Sequence, residues 1–348
     1  MTLPGKSGCN GNDVIMKFRL SRPVLVVIAL AGTLFVGAGS LRCLAAEEWV
    51  PRHNVEFIVP TAAGSTMDLL ARVIQKVWQE QEAVTVPITV EAKSGAGGAL
   101  AWTYLSRKEG DGHYIAISGP TLLANEVLHV GDLSYRDVTP IAQLFTEYTV
   151  FAVRADGPIK TGADLVNAMK TSKALSIGVA PGFGGSNHVA FLKLAGAAKI
   201  DPNSLTIVPF RGANDSVTAL LGGHIDAADA TISALAPFLH SGKLRAIAIA
   251  APKRLEGGYA DIPTWKEEGF DVVEGNWRGI IGPKNLSPSE LAFWDSRVAQ
   301  LVKSPEWADV LKRNQWDADY VDSAGSKRFL DRQFEELKAT FANLKVSK

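Results

Sequence analysis

Short β-branched runs and longer amphipathic stretches alternate along the chain. After a β-branched run at 55–59, apolar residues recur at positions 69, 70, 73, 74, 77 and 78. This spacing is typical of one face of an α-helix. The order of strand, loop and helix then repeats with strands predicted at 88–91 and 113–118. It predicts an α/β protein in which parallel sheets carry helices on both faces.

The same order resumes after a long extended stretch at 140–153. Its predicted strands lie at 175–179, 205–208, 225–228 and 244–250. Its predicted helices lie at 164–169, 188–195, 215–221 and 233–240. A second extended stretch at 272–281 precedes a tail that is predicted to be helical, at 288–302, 306–313 and 326–344. Two α/β lobes joined by extended crossings are the simplest account of this pattern.

The N-terminal segment 1–46 has the order of a secretory signal peptide. Basic residues at 17, 19 and 22 precede an apolar run at 24–41, and small residues follow at Ala45 and Ala46. We therefore expect export to a bacterial periplasm with cleavage near Ala46. Translation begins at Met1 or at Met16. A retained membrane anchor is the alternative, since about 18 apolar residues can just span a bilayer.

Composition changes this picture once the leader is set apart. The chain is 47% hydrophobic and 21% charged, which argues against disorder. Lys plus Arg and Asp plus Glu number 36 each, but the leader holds five of the former and one of the latter, so residues 47–348 carry a net charge of about −4. Without a basic excess we expect no nucleic-acid partner. Cys9 and Cys43 both fall in the leader, which excludes a disulfide scaffold in the remainder.

Glycine and small hydroxyl residues concentrate in three loops between a strand and a helix, at 62–66, 94–98 and 182–186. In open α/β sheets, ligands bind beyond the carboxyl ends of the strands, where such loops lie. Backbone N–H groups and helix N-termini attract anions there, and the hydroxyls of Ser65 and Ser186 add donors. For any single loop, turn formation and helix capping remain the simpler explanation. Three loops at equivalent places predict a site for a carboxylate or phosphate.

Enzyme and cofactor signatures do not fit this sequence. The glycine loops lack the Lys-Ser/Thr of a P-loop and the last glycine of a dinucleotide fingerprint. The six histidines show no metal-ligand spacing, and residues 47–348 contain no cysteine nucleophile. We therefore expect no catalytic residue, metal or cofactor, although a periplasmic enzyme acting on an anionic metabolite stays an alternative.

Several polar and aromatic side chains near the loops have two open interpretations. Asp68 is either a charge at a helix start or a support of the first loop, and His188 either supports the third loop or contacts a ligand. Four further residues either line a pocket or belong to the core and its surroundings: Tyr148, Phe183, Trp277 and Arg278.

The run Ile58–Arg72 resembles the first loop of the tripartite tricarboxylate transporter substrate-binding proteins, the Bug-type receptors. Further similar motifs follow in the same order, at 95–98, 111–114, 184–188, 208–213, 221–226, 242–246 and 262–264. The motif Asn276–Gly279 is similar to the branch that includes tricarboxylate receptors. Met67 is bulky and apolar where other members vary.

This resemblance implies a periplasmic binding protein of type II, with two α/β lobes that close over a ligand. It implies a first lobe formed by 47–148 and a return segment at 253–348, with a second lobe at 149–252. It points to a ligand-binding set to which we add Ser118, at the end of the third strand. The set is Gly64, Ser65, Thr66, Asp68, Gly95, Ala96, Gly97, Ser118, Gly184, Ser186, Asn187 and Thr231.

The resemblance also implies a function and partners. We expect a monomeric receptor that captures a small di- or tricarboxylate, or a related organic acid, and delivers it to membrane transporter subunits. A receptor that presents its ligand to a sensor kinase is the alternative, because both kinds of receptor share the capture step.

Overall fold

The computed structural model describes residues 48–172, 174–180 and 182–342, which lie in one compact unit. The predicted export signal, its cleavage site and both cysteines lie outside these residues. Among the described residues, no helix is both long enough and apolar enough to cross a membrane.

The described residues form a mixed sheet flanked by helices. The strands are β1 (Val55–Val59), β2 (Ile88–Ala92), β3 (Tyr114–Ser118), β4 (Val138–Arg154), β5 (Ser176–Val179), β6 (Thr206–Pro209), β7 (Ala227–Thr231), β8 (Leu244–Ile249), β9 (Gly275–Pro283) and β10 (Asp317–Val321). The helices are α1 (Thr66–Glu80), α2 (Ala99–Ser106), α3 (Thr121–Val127), α4 (Gly162–Thr171), α5 (Ser186–Ala197), α6 (Ala213–Leu221), α7 (Ile232–His240), α8 (Pro288–Leu301), α9 (Pro305–Asn314) and α10 (Ser323–Phe341).

The strands are ordered β2-β1-β3-β9-β4-β7-β5-β6, and β8 and β10 also pair with β4. We call the part built on β1, β2, β3, β9, β10 and the first half of β4 the first half-sheet. The second half-sheet contains the rest of β4 with β5, β6, β7 and β8. The long strand β4 therefore runs through both, while the lobe boundaries at 148 and 252 stay predictions.

The expectation of purely parallel sheets is wrong for the crossing strands. β1 is parallel to β2 and β3, and β5 is parallel to β6 and β7, as expected. However, β9 is antiparallel to β3 and β4, and β4 is antiparallel to β7, β8 and β10. The hydrophobic pattern of a buried strand does not contain its direction, because side chains alternate between faces in both directions.

The tail is also not helical throughout, because β10 lies between α9 and α10. Helix α9 ends at Gln315, whose φ of 55° turns the chain out of the helix. The acidic segment Asp317–Val321 then pairs with β4 as a partly exposed strand, so it shows no buried apolar pattern. The predicted strand 225–228 likewise lies further on, at Ala227–Thr231.

Apolar cores cover both faces of each half-sheet. Helix α1 buries Leu70, Ile74 and Trp78 against β1, as its periodicity predicts, while Leu69 remains 46% exposed. Burial of each such side chain contributes about 1.5–3 kcal/mol. On the opposite face, α10 packs Leu330 against the first half-sheet. These cores fix the positions of the loops that follow β1, β2 and β3.

Candidate ligand-binding site

The first loop, Thr61–Ser65, holds its own shape. The hydroxyl of Ser65 accepts the Asp68 N–H at 3.3 Å and lies 2.6 Å from Thr61 Oγ1. Buried Asp68 accepts the Gly64 N–H and the Arg72 Nε–H, both at 2.9 Å. The hydrogen bond from Arg72 lowers the pKa of Asp68. Asp68 is therefore an ionised support of this loop, and the amide of Gly64 is already paired.

The second loop differs from the other two in having four consecutive residues with positive φ angles. Gly95, Ala96, Gly97 and Gly98 all have positive φ angles, of 144°, 46°, 61° and 96°. Successive N–H groups in such turns form concavities that bind anions. Helix α2 begins after Gly98 without a side-chain cap. This loop therefore offers backbone donors that no side chain of a capping residue occupies.

The third loop, Gly182–Gly185, is supported by a neutral histidine. Gly184 has a φ of 83°, and its N–H donates to His188 Nδ1 at 3.1 Å. Burial lowers the pKa of His188 to about 4, so the ring is neutral and accepts this bond. His188 therefore supports the loop. Helix α5 begins after Gly185 without a side-chain cap.

The second loop, the third loop and the start of α1 all meet the segment Gly119–Leu128, which contains α3. The Asn125 amide lies 3.4 Å from the carbonyl oxygens of Ala96 and Gly97 in the second loop. In the third loop, a Cβ on Gly184 would lie 2.6 Å from Leu128 Cδ1. After the first loop, Met67 Cε lies 2.9 Å from the position of a Cβ on Gly119. The structure thus brings two of the predicted loops, one from each half-sheet, and the helix that follows the first loop against one short helix and its preceding turn.

The remaining predicted residues have different surroundings. Thr66 is the first residue of α1 and is partly buried. Ser118 is buried at the carboxyl end of β3, opposite Gly279. Ser186 is buried at the start of α5. Thr231, at the end of β7, has its hydroxyl 2.9 Å from Ser233 Oγ, so its contact lies within the second half-sheet.

Asn187 has a structural partner that the sequence did not reveal. Its side-chain amide donates to the Asp229 carbonyl at 2.5 Å, which ties α5 to β7. The Asp229 carboxyl is completely buried, accepts the Thr149 hydroxyl at 2.9 Å, and leaves its second oxygen without a partner. Burial raises the pKa of Asp229 to about 7. A lone acid within the alanine-rich strand β7 is the signal that could have found it.

A second buried group lies where β4 runs beside β9. Glu147 and Arg278 form an ion pair with a distance of 3.1 Å. Asn276 Nδ2 and Trp316 Nε1 donate to the same carboxylate at 2.9 and 3.2 Å. Burial raises the pKa of Glu147 and lowers that of Arg278. Arg278 therefore belongs to a buried polar cluster, and its partner Glu147 was missed because it lies in an apolar strand.

Comparisons with known proteins find similar sequences over most of the chain. A family model described as "Tripartite tricarboxylate transporter family receptor" matches residues 70–345. A protein of Cupriavidus necator, named for its position in the gbd 5′ region, is 24% identical over 91% of this chain and 95% of its own length.

Solved structures show the same fold. A TctC solute-binding protein from Polaromonas, without ligand, is 26% identical and covers 84% of this chain and 99% of its own, with a TM-score of 0.69. MatC from Rhodopseudomonas palustris, with bound malate, is 25% identical and covers 83% of this chain and 99% of its own, with a TM-score of 0.71. The predicted fold class, an α/β periplasmic binding protein of type II, is confirmed.

Proposed function

Because the chain belongs to the tripartite tricarboxylate transporter receptor family, we propose that it captures a small carboxylate in the periplasm and delivers it to a tripartite membrane transporter. The family and its solved neighbours are solute-binding receptors, so the chain is a receptor and not an enzyme. Malate is the ligand of one such neighbour, which favours an organic acid of similar size for this chain.

The observation that carries this proposal is the pair of uncapped helix starts beside α3. Helix α2 comes from the first half-sheet and α5 from the second, and neither N-terminus is occupied by a capping side chain. The first N–H groups of a helix carry a partial positive charge and need acceptors. A carboxylate between the two helices supplies acceptors to both. Closure of the lobes then removes water from the anion and strengthens these hydrogen bonds.

In this proposal the predicted residues have two kinds of role. The backbone of Gly95, Ala96 and Gly97 and the start of α1 at Thr66 bind one carboxylate, with the hydroxyls of Ser65, Ser118 and Ser186 nearby. Gly64, Asp68, Gly184 and Asn187 hold the loops in shape through the hydrogen bonds described above. Thr231 contributes from the second half-sheet.

Titration calorimetry with malate, succinate, adipate, citrate and benzoate tests this proposal. The protein is purified from the periplasm of cells that express the full chain. We expect saturable binding of at least one of these acids and no heat from the matched neutral amides. A protein that binds none of the acids would contradict carboxylate capture.

Export and oligomeric state are tested on protein recovered separately from the periplasmic and membrane fractions of the same cells. We expect an intact mass that begins near Glu47, from cleavage near Ala46, and a monomer in sedimentation. An intact mass that retains residues 1–46 would instead favour a membrane anchor.

A further inference from the structure

Arg278 carries a guanidinium that is buried to an unusual degree. Its side chain is 9% exposed and that of its partner Glu147 is 5% exposed. In five ion pairs elsewhere in the described residues, the arginine side chains are 39–62% exposed. Removing two charges from water is costly, and well-packed apolar residues often serve stability equally well. The pair therefore calls for a role besides stability.

The hydrogen-bonding groups of Glu147 all have partners, whereas those of Arg278 do not. Both Glu147 oxygens accept hydrogen bonds, Oε1 from Asn276 and Arg278 and Oε2 from Trp316. Arg278 Nη1 donates to Asn276 Oδ1 and the Trp277 carbonyl, at 2.5 and 3.1 Å. Arg278 Nε is buried and has no partner. An unpaired buried donor is unfavourable, so the positive end of the pair retains capacity for one more acceptor.

The guanidinium lies beside the predicted binding loops. β3 and β9 pair Ser118 with Gly279, which puts Arg278 next to the carboxyl end of β3. The position of a Cβ on Gly119 lies 3.1 Å from Arg278 Nη1 and 2.9 Å from Met67 Cε. Met67 is the second residue of α1 and follows the first loop directly. Arg278 thus reaches the turn at Gly119 that precedes α3, where Met67 also lies.

We propose that Arg278 is a specificity-determining residue that makes this receptor prefer dicarboxylates to monocarboxylates. The inference rests on the proposed function, in which the loops hold one carboxylate through neutral backbone donors. A second carboxylate, buried on lobe closure, needs a full positive charge. The guanidinium supplies this charge, and its unpaired Nε–H is the donor that remains for a carboxylate oxygen.

Glu147 and Met67 have supporting roles in this arrangement. Glu147 and Asn276 hold the guanidinium in position, so the Arg278 side chain stays in place when the ligand leaves the cleft. Met67 is unbranched and flexible, and it repacks when a ligand approaches the guanidinium. Glu147 is therefore a positioning residue, and its carboxylate also sets how much of the positive charge a ligand experiences.

The test compares acids of equal length that differ by one carboxylate. Succinate is paired with butanoate and adipate with hexanoate, in titrations of wild type, Arg278→Met and Arg278→Lys. Arg254→Met is the control, because Arg254 also forms an ion pair, with Glu267, but is 43% exposed. We expect Arg278→Met to weaken dicarboxylate binding about 10- to 100-fold and monocarboxylate binding less than about threefold. Arg278→Lys should retain part of the preference, and Arg254→Met all of it.

Glu147→Gln keeps the test valid if Arg278→Met does not fold. Removing the competing carboxylate should raise the preference for dicarboxylates, with folding checked by thermal unfolding. Equal binding of both acids by wild type, or an unchanged preference in Arg278→Met and Glu147→Gln, would overturn the inference and leave carboxylate capture intact. So would an equal loss of both acids in a folded Arg278→Met. Failure of wild type to bind any acid would instead contradict the proposed function.

Discussion

The helices of this protein begin in two different ways. Those that follow the parallel strands β2, β3, β5, β6 and β7 begin without a side-chain cap, at Gly98, Pro120, Gly185, Gly212 and Thr231. Those elsewhere are capped by a side chain, α4 by Thr161, α8 by Ser287, α9 by Ser304 and α10 by Asp322. The start of α1 is the exception, since it follows β1 and is capped by Ser65.

This difference separates stability from ligand capture. Losing a side-chain cap costs about 0.5–2 kcal/mol when Ala replaces it and a few tenths of a kcal/mol when Gly does, so leaving five helix starts uncapped has a modest cost. The uncapped starts all lie at the carboxyl ends of parallel strands, where ligands bind in α/β sheets. The first amides of a helix have no intrahelical acceptor, and where no side chain caps them an anion or water can accept their hydrogen bonds. The sequence therefore places capping residues mainly where no ligand is expected.

The largest expected effect concerns Asp229, a buried acid beneath the uncapped start of α5. The pKa of Asp229 in the folded protein, about 7, lies above the usual value of an aspartate, so the folded state becomes less stable as pH rises from about 4 to 7. Helix N-termini favour a negative charge, and burial outweighs them here. Asp229→Asn mimics the protonated acid. At pH 8 we expect the variant to be more stable than wild type by about 2–4 kcal/mol, and this difference should vanish near pH 4.

Denaturant unfolding at pH 4 and pH 8 measures this effect. Asp132→Asn, at an exposed position, is the control and should show no such pH-dependent difference. A stabilisation by Asp229→Asn that is equal at both pH values would mean that Asp229 does not titrate in this range. The partial positive charge at the helix N-termini would then stabilise the ionised Asp229 more than burial destabilises it.

The second effect tests whether the backbone of the second loop binds the ligand. Gly97 has a φ of 61°, and a Cβ there would lie 3.1 Å from Asn125 Oδ1. Gly97→Val should deform the loop and weaken carboxylate binding about 100-fold, since β-branched residues are strained in this conformation. Gly131→Val is matched in backbone strain, because Gly131 has a φ of 79° with open space around it. If calorimetry shows the same affinity for both variants, the second loop is not part of the site.

The third effect belongs to the capped helices. Ser287 caps α8 in a reciprocal pair with Glu290, far along the chain from the loops. Ser287→Ala should lower the free energy of unfolding by about 1 kcal/mol and leave ligand affinity unchanged. A change in affinity would show that a capped helix also affects ligand binding. The division between capped helices for stability and uncapped helices for ligand capture would then be wrong.

Much of the fold follows from local pattern. The stripe on α1 and the strand at 55–59 are visible because each has a repeating face that one core buries. Strand β10 and the antiparallel crossings are not visible, because they depend on which distant segment supplies the hydrogen-bonding partner. Direction and pairing are properties of the assembled sheet, and no stretch of five residues encodes them.

The sequence likewise predicts part of the candidate site, namely its loops, and not the buried acids behind them. Glycine-rich loops mark the place, since Gly95 and Gly184 have backbone angles that other residues rarely adopt. The buried partners Glu147 and Asp229 are hidden in strands, where a single acid reads as an interruption of an apolar run. Their roles come from side chains that approach from remote elements, such as Trp316 and Thr149.

The smallest effect adds a cap where the chain has none. Gly212, before α6, has an extended conformation with φ of −155° and open space around its Cα, so Ser fits there. Asp215 stands at the third helical position, where it completes a capping box. Gly212→Ser should raise the free energy of unfolding by a few tenths of a kcal/mol, roughly the difference between Ser and Gly as caps. If α6 also faces the ligand, the new side chain competes for its amides and the affinity for carboxylates falls. An unchanged affinity would mean that the start of α6 does not bind the anion, as the proposed site between α2 and α5 requires.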